Sequence, residues 1–477
     1  MFEIWLSEQS QDPLYLQLYT QIRQQIRSGA ILNGARMPSV RTLQTQLHIS
    51  KTPIETAYQM LSSEGYVVSK PRSGLYAINA FKPEHTLVQA PITHHIDAAL
   101  RPSSQSATSA PHVIDFNPTS LDVQTFPFRI WRKMLNEALE NSAELLCQYG
   151  DPHGEYAFRT VIADYIRQAR GVVCSPEQII IGSGISYSMS ILTKLLAGYP
   201  HIAMEEPGFP KVRDHFGISG FAITPISIGN KGLSIEELER SSAQLVYVTP
   251  SHQFPTGSVI PYAERAQLLN WASARKAYII EDDYDGEFRY FSKPIPSLQS
   301  LDHQGRVIYI GTFSKAFTPA LRMNYMVLPV TLTRKMESLQ ALLSSPSRIE
   351  QWAMQSFIEQ GHWFRHIRRM RNTYRKKHST LMEKIRAHFA DHVEITGHSA
   401  GLHIQISVKT QLKPEQLVQM AADHGVRIYD MRGAWMDQNA DAAGDPKVYL
   451  GFGGISEAEM ESGLLRLKKA WSCLSEE

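Results

Sequence analysis

Val307-Ile308-Tyr309-Ile310-Gly311-Thr312-Phe313-Ser314-Lys315 is an apolar run that ends in small hydroxylated residues and a lysine, and Arg322 follows seven residues later. A short run of this kind reads as a buried strand. A lysine at its carboxyl edge stands where α/β sheets bind ligands. A lysine amine there can form a Schiff base with a carbonyl compound. Thr312, Ser314 and Arg322 are suited to a phosphate group. An ordinary surface lysine after a strand would fit this stretch equally well, so its reading depends on two others.

The first is Ala277-Tyr278-Ile279-Ile280-Glu281-Asp282-Asp283-Tyr284-Asp285, a second buried strand that ends in a burst of acids. Pyridoxal 5′-phosphate (PLP) needs a carboxylate against its pyridine nitrogen and benefits from a hydroxyl donor to the ring oxygen. Asp282 and Tyr284 are chosen for these roles. Magnesium binding by the acids, or a solvated turn, are the alternatives. The second is Ile179-Ile180-Ile181-Gly182-Ser183-Gly184-Ile185-Ser186, followed by a helical pattern. Glycine-rich turns at a helix N-terminus hold phosphate through backbone N–H groups, so Ser183, Gly184, Ile185 and Ser186 join Thr312, Ser314 and Arg322 as candidates.

The order glycine-rich turn, acid-ended strand, then Ser-x-Lys with a distant Arg resembles the fold type I PLP enzymes, the aspartate aminotransferase superfamily, over roughly residues 113–477. The resemblance implies a mixed sheet flanked by helices, with PLP held on Lys315. Tyr149 in Tyr149-Gly150-Asp151-Pro152 resembles the tyrosine that reaches the neighbouring subunit's phosphate. Phe209 resembles the aromatic that stacks on the pyridine ring. Thr249-Pro250-Ser251-His252-Gln253-Phe254-Pro255-Thr256-Gly257 resembles the loop that normally supplies an Asn to the ring oxygen. It has no Asn, so His252 or Gln253 is the expected stand-in.

The first 80 residues read differently. Leu14, Leu18, Ile22 and Ile26 recur every four residues and predict a helix over 13–28. Ser39 is placed to cap a second helix through about Leu47. Ser50-Lys51-Thr52-Pro53 opens a third, where a first-turn proline is tolerated. Tyr66-Val67-Val68, Arg72-Ser73-Gly74 and Leu75-Tyr76-Ala77 predict a hairpin. Helix, turn, helix and hairpin make an α/β winged helix-turn-helix, which enters the DNA major groove by the N-terminal end of its second helix. Arg41, Ser50, Lys51 and Thr52 are the expected contacts there, and Lys70, Arg72 and Gly74 on the wing. This zone carries seven Lys and Arg against five acids, too weak an excess to argue nucleic-acid binding by charge alone. A small helical interaction domain would also fit the pattern. Met37-Pro38-Ser39-Val40-Arg41-Thr42-Leu43, Leu47-His48-Ile49-Ser50-Lys51-Thr52-Pro53-Ile54 and Ala57-Tyr58-Gln59-Met60-Leu61 resemble the GntR DNA-binding domain. Lys51 stands where that family usually has Arg, and Glu55 where some members have a further Arg.

Residues 81–112 are rich in Pro, Ser, Thr, Ala and His and read as a flexible linker. The expected domains are 1–80, the linker 81–112 and 113–477. A GntR-like head on an aminotransferase-like body resembles the MocR/GabR subfamily of bacterial transcriptional regulators. The resemblance implies a head-to-tail, domain-swapped homodimer on operator double-stranded DNA, with RNA polymerase a candidate partner. It also implies a body that senses a small amine, an amino acid or PLP itself, with partial transamination at most. A working aminotransferase with a DNA-binding head is the alternative. Aminotransferases usually place an Arg against the substrate carboxylate near the C-terminus, where Tyr449-Leu450-Gly451-Phe452 has none. Arg432 is the expected substitute, and Lys211 stands near where a GABA-responsive member has an Arg.

Net charge is +2, so any nucleic-acid contact is local. Three widely spaced cysteines show no metal-ligand pattern and argue for a reducing compartment and against a disulfide scaffold. No stretch approaches about 18 uncharged apolar residues, so no membrane span is expected. Nor is a signal peptide, and the expected location is the bacterial cytoplasm.

Overall fold

A computed structural model describes residues 4–7, 12–71, 73–78, 113–229, 232–290, 296–389, 392–397, 400–436 and 445–472. The linker reading at 81–112 and the wing residue Arg72 lie outside them. The chain divides into two compact units, Met1–Ser106 and Ala107–Glu477.

In the first unit, α1 (Leu14–Ser28) buries Leu18, Tyr19, Ile22 and Ile26 on one stripe. Leu14 opens the helix and stays exposed. Ser39 caps α2 (Val40–Leu47), its hydroxyl accepting the Thr42 N–H at 3.1 Å. Ser50 precedes α3 (Lys51–Ser63), which buries Ile54, Ala57, Tyr58 and Leu61. The Tyr58 hydroxyl donates to the Pro38 carbonyl at 2.8 Å and ties α3 to the start of α2. Strands β1 (Val67–Lys70) and β2 (Gly74–Ala77) pair antiparallel from Val67 with Ala77 to Lys70 with Gly74. One core, from Leu18 to Ala77, holds this unit together.

The second unit is built on an eight-stranded sheet. In chain order its strands are β4 (Ile179–Gly182), β5 (His201–Glu206), β6 (Ala222–Gly229), β7 (Gly232–Leu233), β8 (Leu245–Val248), β9 (Tyr278–Asp283), β10 (Val307–Thr312) and β11 (Asn324–Val327). Their spatial order is β4-β11-β10-β9-β8-β5-β6-β7, and the stretch from β10 to β6 is parallel. The sheet is mixed, as the resemblance implies: β11 runs antiparallel between β10 and β4. The reason is local. Residues 313–323 turn back on themselves with no crossover helix, and only antiparallel neighbours can be joined that way.

Helices cover both faces: α4 (Phe128–Asn141), α5 (Tyr156–Arg170), α6 (Ile185–Leu195), α7 (Pro210–Ile218), α8 (Ile235–Arg240), α9 (Tyr262–Arg275), α10 (Leu298–Leu301), α11 (Val330–Met336), α12 (Arg348–Glu359) and the 28-residue α13 (His362–Phe389). Side chains of one strand serve opposite cores because successive Cβ atoms point to opposite faces. Ile181 and Tyr309 pack in the core that includes α5, α12 and α13. Ile180, Ile308 and Ile310 pack in the one that includes α6 and α7. Beyond the sheet, β3 (Ile114–Asp115) pairs with β14 (Val426–Arg427). Strands β12 (Val393–Thr396), β13 (His403–Val408) and β15 (Lys447–Gly451) form a small antiparallel sheet, joined by α14 (Pro414–Asp423) and α15 (Glu457–Ala470).

Candidate functional site

The carboxyl ends of β9 and β10 open onto a cavity of 520 Å³. Strand β10 delivers Thr312, and the turn behind it Ser314 and Lys315. Strand β9 delivers Asp282, followed by Tyr284 and Asp285. The start of α6 contributes Gly184 and Ile185, the start of α7 Phe209 and Lys211. Arg322 and Asn324 come from the return into β11. These segments are distant in sequence and meet because parallel strands present their carboxyl ends on one edge.

Ten sequence-predicted residues therefore line one cavity: Lys315, Asp282, Tyr284, Gly184, Ile185, Phe209, Thr312, Ser314, Arg322 and Lys211. Others fall elsewhere. Ser183 is exposed, and its carbonyl accepts from Arg322 Nη2 at 3.2 Å. Ser186 lies one residue inside α6, its carbonyl taken by Ser190. Tyr149 is fully exposed. His252, expected at the ring oxygen, is not on the cavity wall. It is buried behind the wall, with Nδ1 2.7 Å from Asp285 Oδ2 and 3.0 Å from the Tyr284 hydroxyl. From the same loop Thr249 and Phe254 reach the cavity. Gln253 is turned inward, its amide donating to the Pro207 carbonyl at 2.8 Å. Arg432, expected against an effector carboxylate, is also off the wall. Its guanidinium is ion-paired with Glu415 and with Asp430 at 3.1 Å, while its neighbours Tyr429 and Met431 line the cavity.

The structure adds residues that the sequence does not single out. Asn324 Oδ1 accepts the Gly184 N–H at 3.0 Å and its amide donates to Ser188 at 2.7 Å, fixing the turn into α6. Asn117, Pro118 and Thr119 form one wall, His403 of β13 another. Tyr247 donates to Asp282 Oδ2 at 2.5 Å. Asp285 stood in the acid run, but nothing in its spacing separated it from its neighbours.

The four acids of that run diverge. Glu281 accepts the Leu298 and Gln299 N–H groups that open α10. Asp282 faces the cavity. Asp283 pairs with Arg170 at 2.5 Å and accepts the Tyr309 hydroxyl. Asp285 meets His252. Among the described residues no group of His, Cys, Asp and Glu is arranged to hold a metal ion. Burial pushes Asp282 up to about 7, against the Tyr247 hydrogen bond. Burial lowers the Lys315 amine, and Asp285 opposes that shift. His403 is pushed down to about 3, chiefly by burial, with His252 and Lys315 adding to it.

The donor set fits a pyridine ring that bears a phosphate. Gly184 sits at φ +114°, and a Cβ there would lie 2.5 Å from Arg322 Nη2, so only glycine admits the guanidinium against the start of α6. That guanidinium, the Thr312 and Ser314 hydroxyls and the helix N-terminus form an anion cradle. A buried carboxylate held near neutrality at Asp282 matches a protonated ring nitrogen. Phe209 supplies an aromatic wall, and Lys315 an amine that donates to the Pro118 carbonyl at 3.3 Å.

A winged helix on one unit, and a PLP-fitting cavity on the sheet of the other, define a class: DNA-binding regulators with an aminotransferase-like domain. Residues 112–434 match the family "Aminotransferase class I and II", and residues 14–76 match "Bacterial regulatory proteins, gntR family". The chain is 41% identical over 98% of its length to the HTH-type transcriptional regulator YhdI of Bacillus subtilis, of which it covers 98%. It is 30% identical over 97% of its length to the probable rhizopine catabolism regulatory protein MocR of Rhizobium meliloti, covering 94% of that protein. The crystal structure of Pyrococcus horikoshii kynurenine aminotransferase, in complex with PMP, shares the fold at a TM-score of 0.69 and 23% identity, over 76% of this chain and 91% of the other. The chain belongs to the class I and II aminotransferase family and, with its GntR head, to the MocR/GabR subfamily of transcriptional regulators. Its cofactor is PLP. No helix among the described residues is long and apolar enough to cross a membrane.

Proposed function

We propose that this regulator binds operator double-stranded DNA through its winged helix and senses a small amine or amino acid at PLP held on Lys315. The observation that carries this reading is the pairing, on one chain, of a GntR head with a cavity that gathers Lys315, Asp282 and Arg322. Bound there, PLP supplies a carbonyl carbon for amines and a ring that withdraws electrons. Asp282 keeps a proton on the ring nitrogen. Arg322, Thr312, Ser314 and the α6 N-terminus hold the phosphate, and Phe209 packs on the ring. Lys315 competes with the incoming amine, and that competition is what the body reads. Lys211, the cavity's remaining cation, takes an effector carboxylate as a point charge. The Arg432 pairing with Glu415 and Asp430 supports a structural role for that residue.

On the DNA side Arg41, Ser50, Lys51, Thr52, Lys70 and Gly74 are the proposed contacts, with Arg72 outside the described residues. The working unit is a head-to-tail, domain-swapped homodimer in the cytoplasm, in which Tyr149 reaches the partner's phosphate site and the linker 81–112 spans the exchange. Two heads imply two half-sites of fixed spacing.

The test is a gel-shift titration of promoter DNA from beside the protein's own gene, with a panel of amines, for the PLP-loaded protein and for Lys315→Ala. One amine should change wild-type affinity about 5–150-fold, the usual range of allosteric coupling. The variant should bind DNA without responding. An equal response from Lys315→Ala would refute the reading.

A further inference from the structure

Five charged side chains line the cavity: Lys211, Lys315, Arg322, Asp282 and Asp285. Four have roles in the reading above. Asp285 does not, yet it is firmly held. It is 3% exposed, and its Oδ2 lies 2.7 Å from His252 Nδ1. Among the described residues His252 Nε2 is buried without a hydrogen-bond partner, so the ring's proton belongs on Nδ1, where it donates to the carboxylate. Gly401, at φ +75°, closes the far side: a Cβ there would lie 2.7 Å from both Asp285 Oδ2 and His252 Nδ1. The carboxylate cannot swing away. Its Oδ1 has no hydrogen-bond partner among the described residues and belongs to a side chain on the cavity wall.

Lys315 presents the complementary deficit. An ammonium has three donors, and among the described residues one hydrogen bond is formed here, to the Pro118 carbonyl. Around it, Lys211 from α7 and Arg322 before β11 are cations, and His403 on β13 is held neutral by burial. Tyr284 keeps its proton, also through burial. Asp282 already accepts from Tyr247 and faces the ring nitrogen. Arg289, buried without a hydrogen-bond partner among the described residues, adds positive charge near Asp283 and Asp285. The anion left for Lys315 is Asp285.

We propose that Asp285, clamped by His252, is the positioning residue that favours the ammonium form of the free Lys315 amine across the cavity, against the burial that disfavours it, and so sets how readily that amine engages the cofactor. The inference rests on Lys315 being the cofactor's anchor. Removing the carboxylate lowers the ammonium's stability, so more neutral amine is present at a given pH.

The experiment uses the full chain freed of cofactor, with PLP as the probe and growth of the visible band as the readout, from pH 6 to 10. The rate rises with the neutral amine fraction. Asp285→Asn should move the rate profile about one unit to lower pH, within the 1–3 units an adjacent opposite charge supplies, and raise the rate on the rising limb roughly tenfold. Asp285→Glu should restore part of the shift, and His252→Gln should give a smaller shift in the same direction. Asn and wild-type profiles that superimpose would overturn the inference. If Asp285→Asn does not fold, a His252→Gln profile identical to wild type does so instead. A band that forms equally in Lys315→Ala overturns the anchor reading, a separate and recognisable failure.

Discussion

Gly184 and Asp282 decide whether the cavity holds its cofactor. Gly184→Ala forces a methyl group to within 2.5 Å of Arg322 Nη2 at a backbone angle that side chains avoid. PLP affinity should fall at least tenfold, about 1.4 kcal/mol, in an equilibrium titration, with circular dichroism unchanged. Asp282 makes a pH-dependent prediction. Its carboxyl is raised from an ordinary 3.8 to about 7. The folded chain therefore binds this proton more tightly than the unfolded chain, and the contribution to stability falls as pH rises through that window. Above that window a protonated ring nitrogen compensates the buried charge. The rise in Tm on adding PLP should be larger at pH 8 than at pH 6, and Asp282→Asn should shrink that difference. Equal rises in wild type at both pH values would contradict the assignment. At this scale the sequence was informative where chemistry sits at a strand end, as for Lys315, Asp282 and Arg322. It was silent on Asn324, His403 and the Asn117–Thr119 wall, which reach the cavity from segments with no motif. It misplaced His252 because a loop's residue types do not say which side chains turn inward.

Among the elements, the start of α3 carries three of the proposed DNA contacts, Ser50, Lys51 and Thr52, and its first turn contains an internal competitor. Lys51 is paired with Glu55 at 2.8 Å, both exposed. Such a pair adds little stability, but it partly neutralises a cation that a phosphate would use. Glu55→Gln should tighten DNA binding and steepen the dependence of log K on log salt by roughly one unit. An unchanged slope would mean that Lys51 does not face DNA. The winged helix was legible because its boundaries are set by local rules: the Leu18-Ile22-Ile26 stripe, the Ser39 cap and the hairpin turning at Gly74. The reversed direction of β11 was not, because a run of apolar residues has no polarity and its partner is fixed only by the turn at 313–323.

In the whole molecule the two units have separate cores. Leu61 is fully buried in the first and belongs to no cluster of the second. Leu61→Ala should cost about 2–5 kcal/mol and lower one calorimetric transition by many degrees, leaving the other in place. A single transition that moves as a whole would show that the units unfold together. Separate cores suit a regulator, since a body adapted to hold a cofactor can change without unfolding the DNA-binding head.

The central claim is that the body reads amines through Lys315 rather than turning them over. The most direct test is a visible absorption spectrum of the purified protein during titration with a panel of amines, with a keto acid added last. The account predicts a yellow protein whose band shifts with one amine and then stays put, and no such response in Lys315→Ala. A band that cycles and yields new amino acid would make the protein a working aminotransferase, and a protein that never takes up PLP would contradict the account at its root.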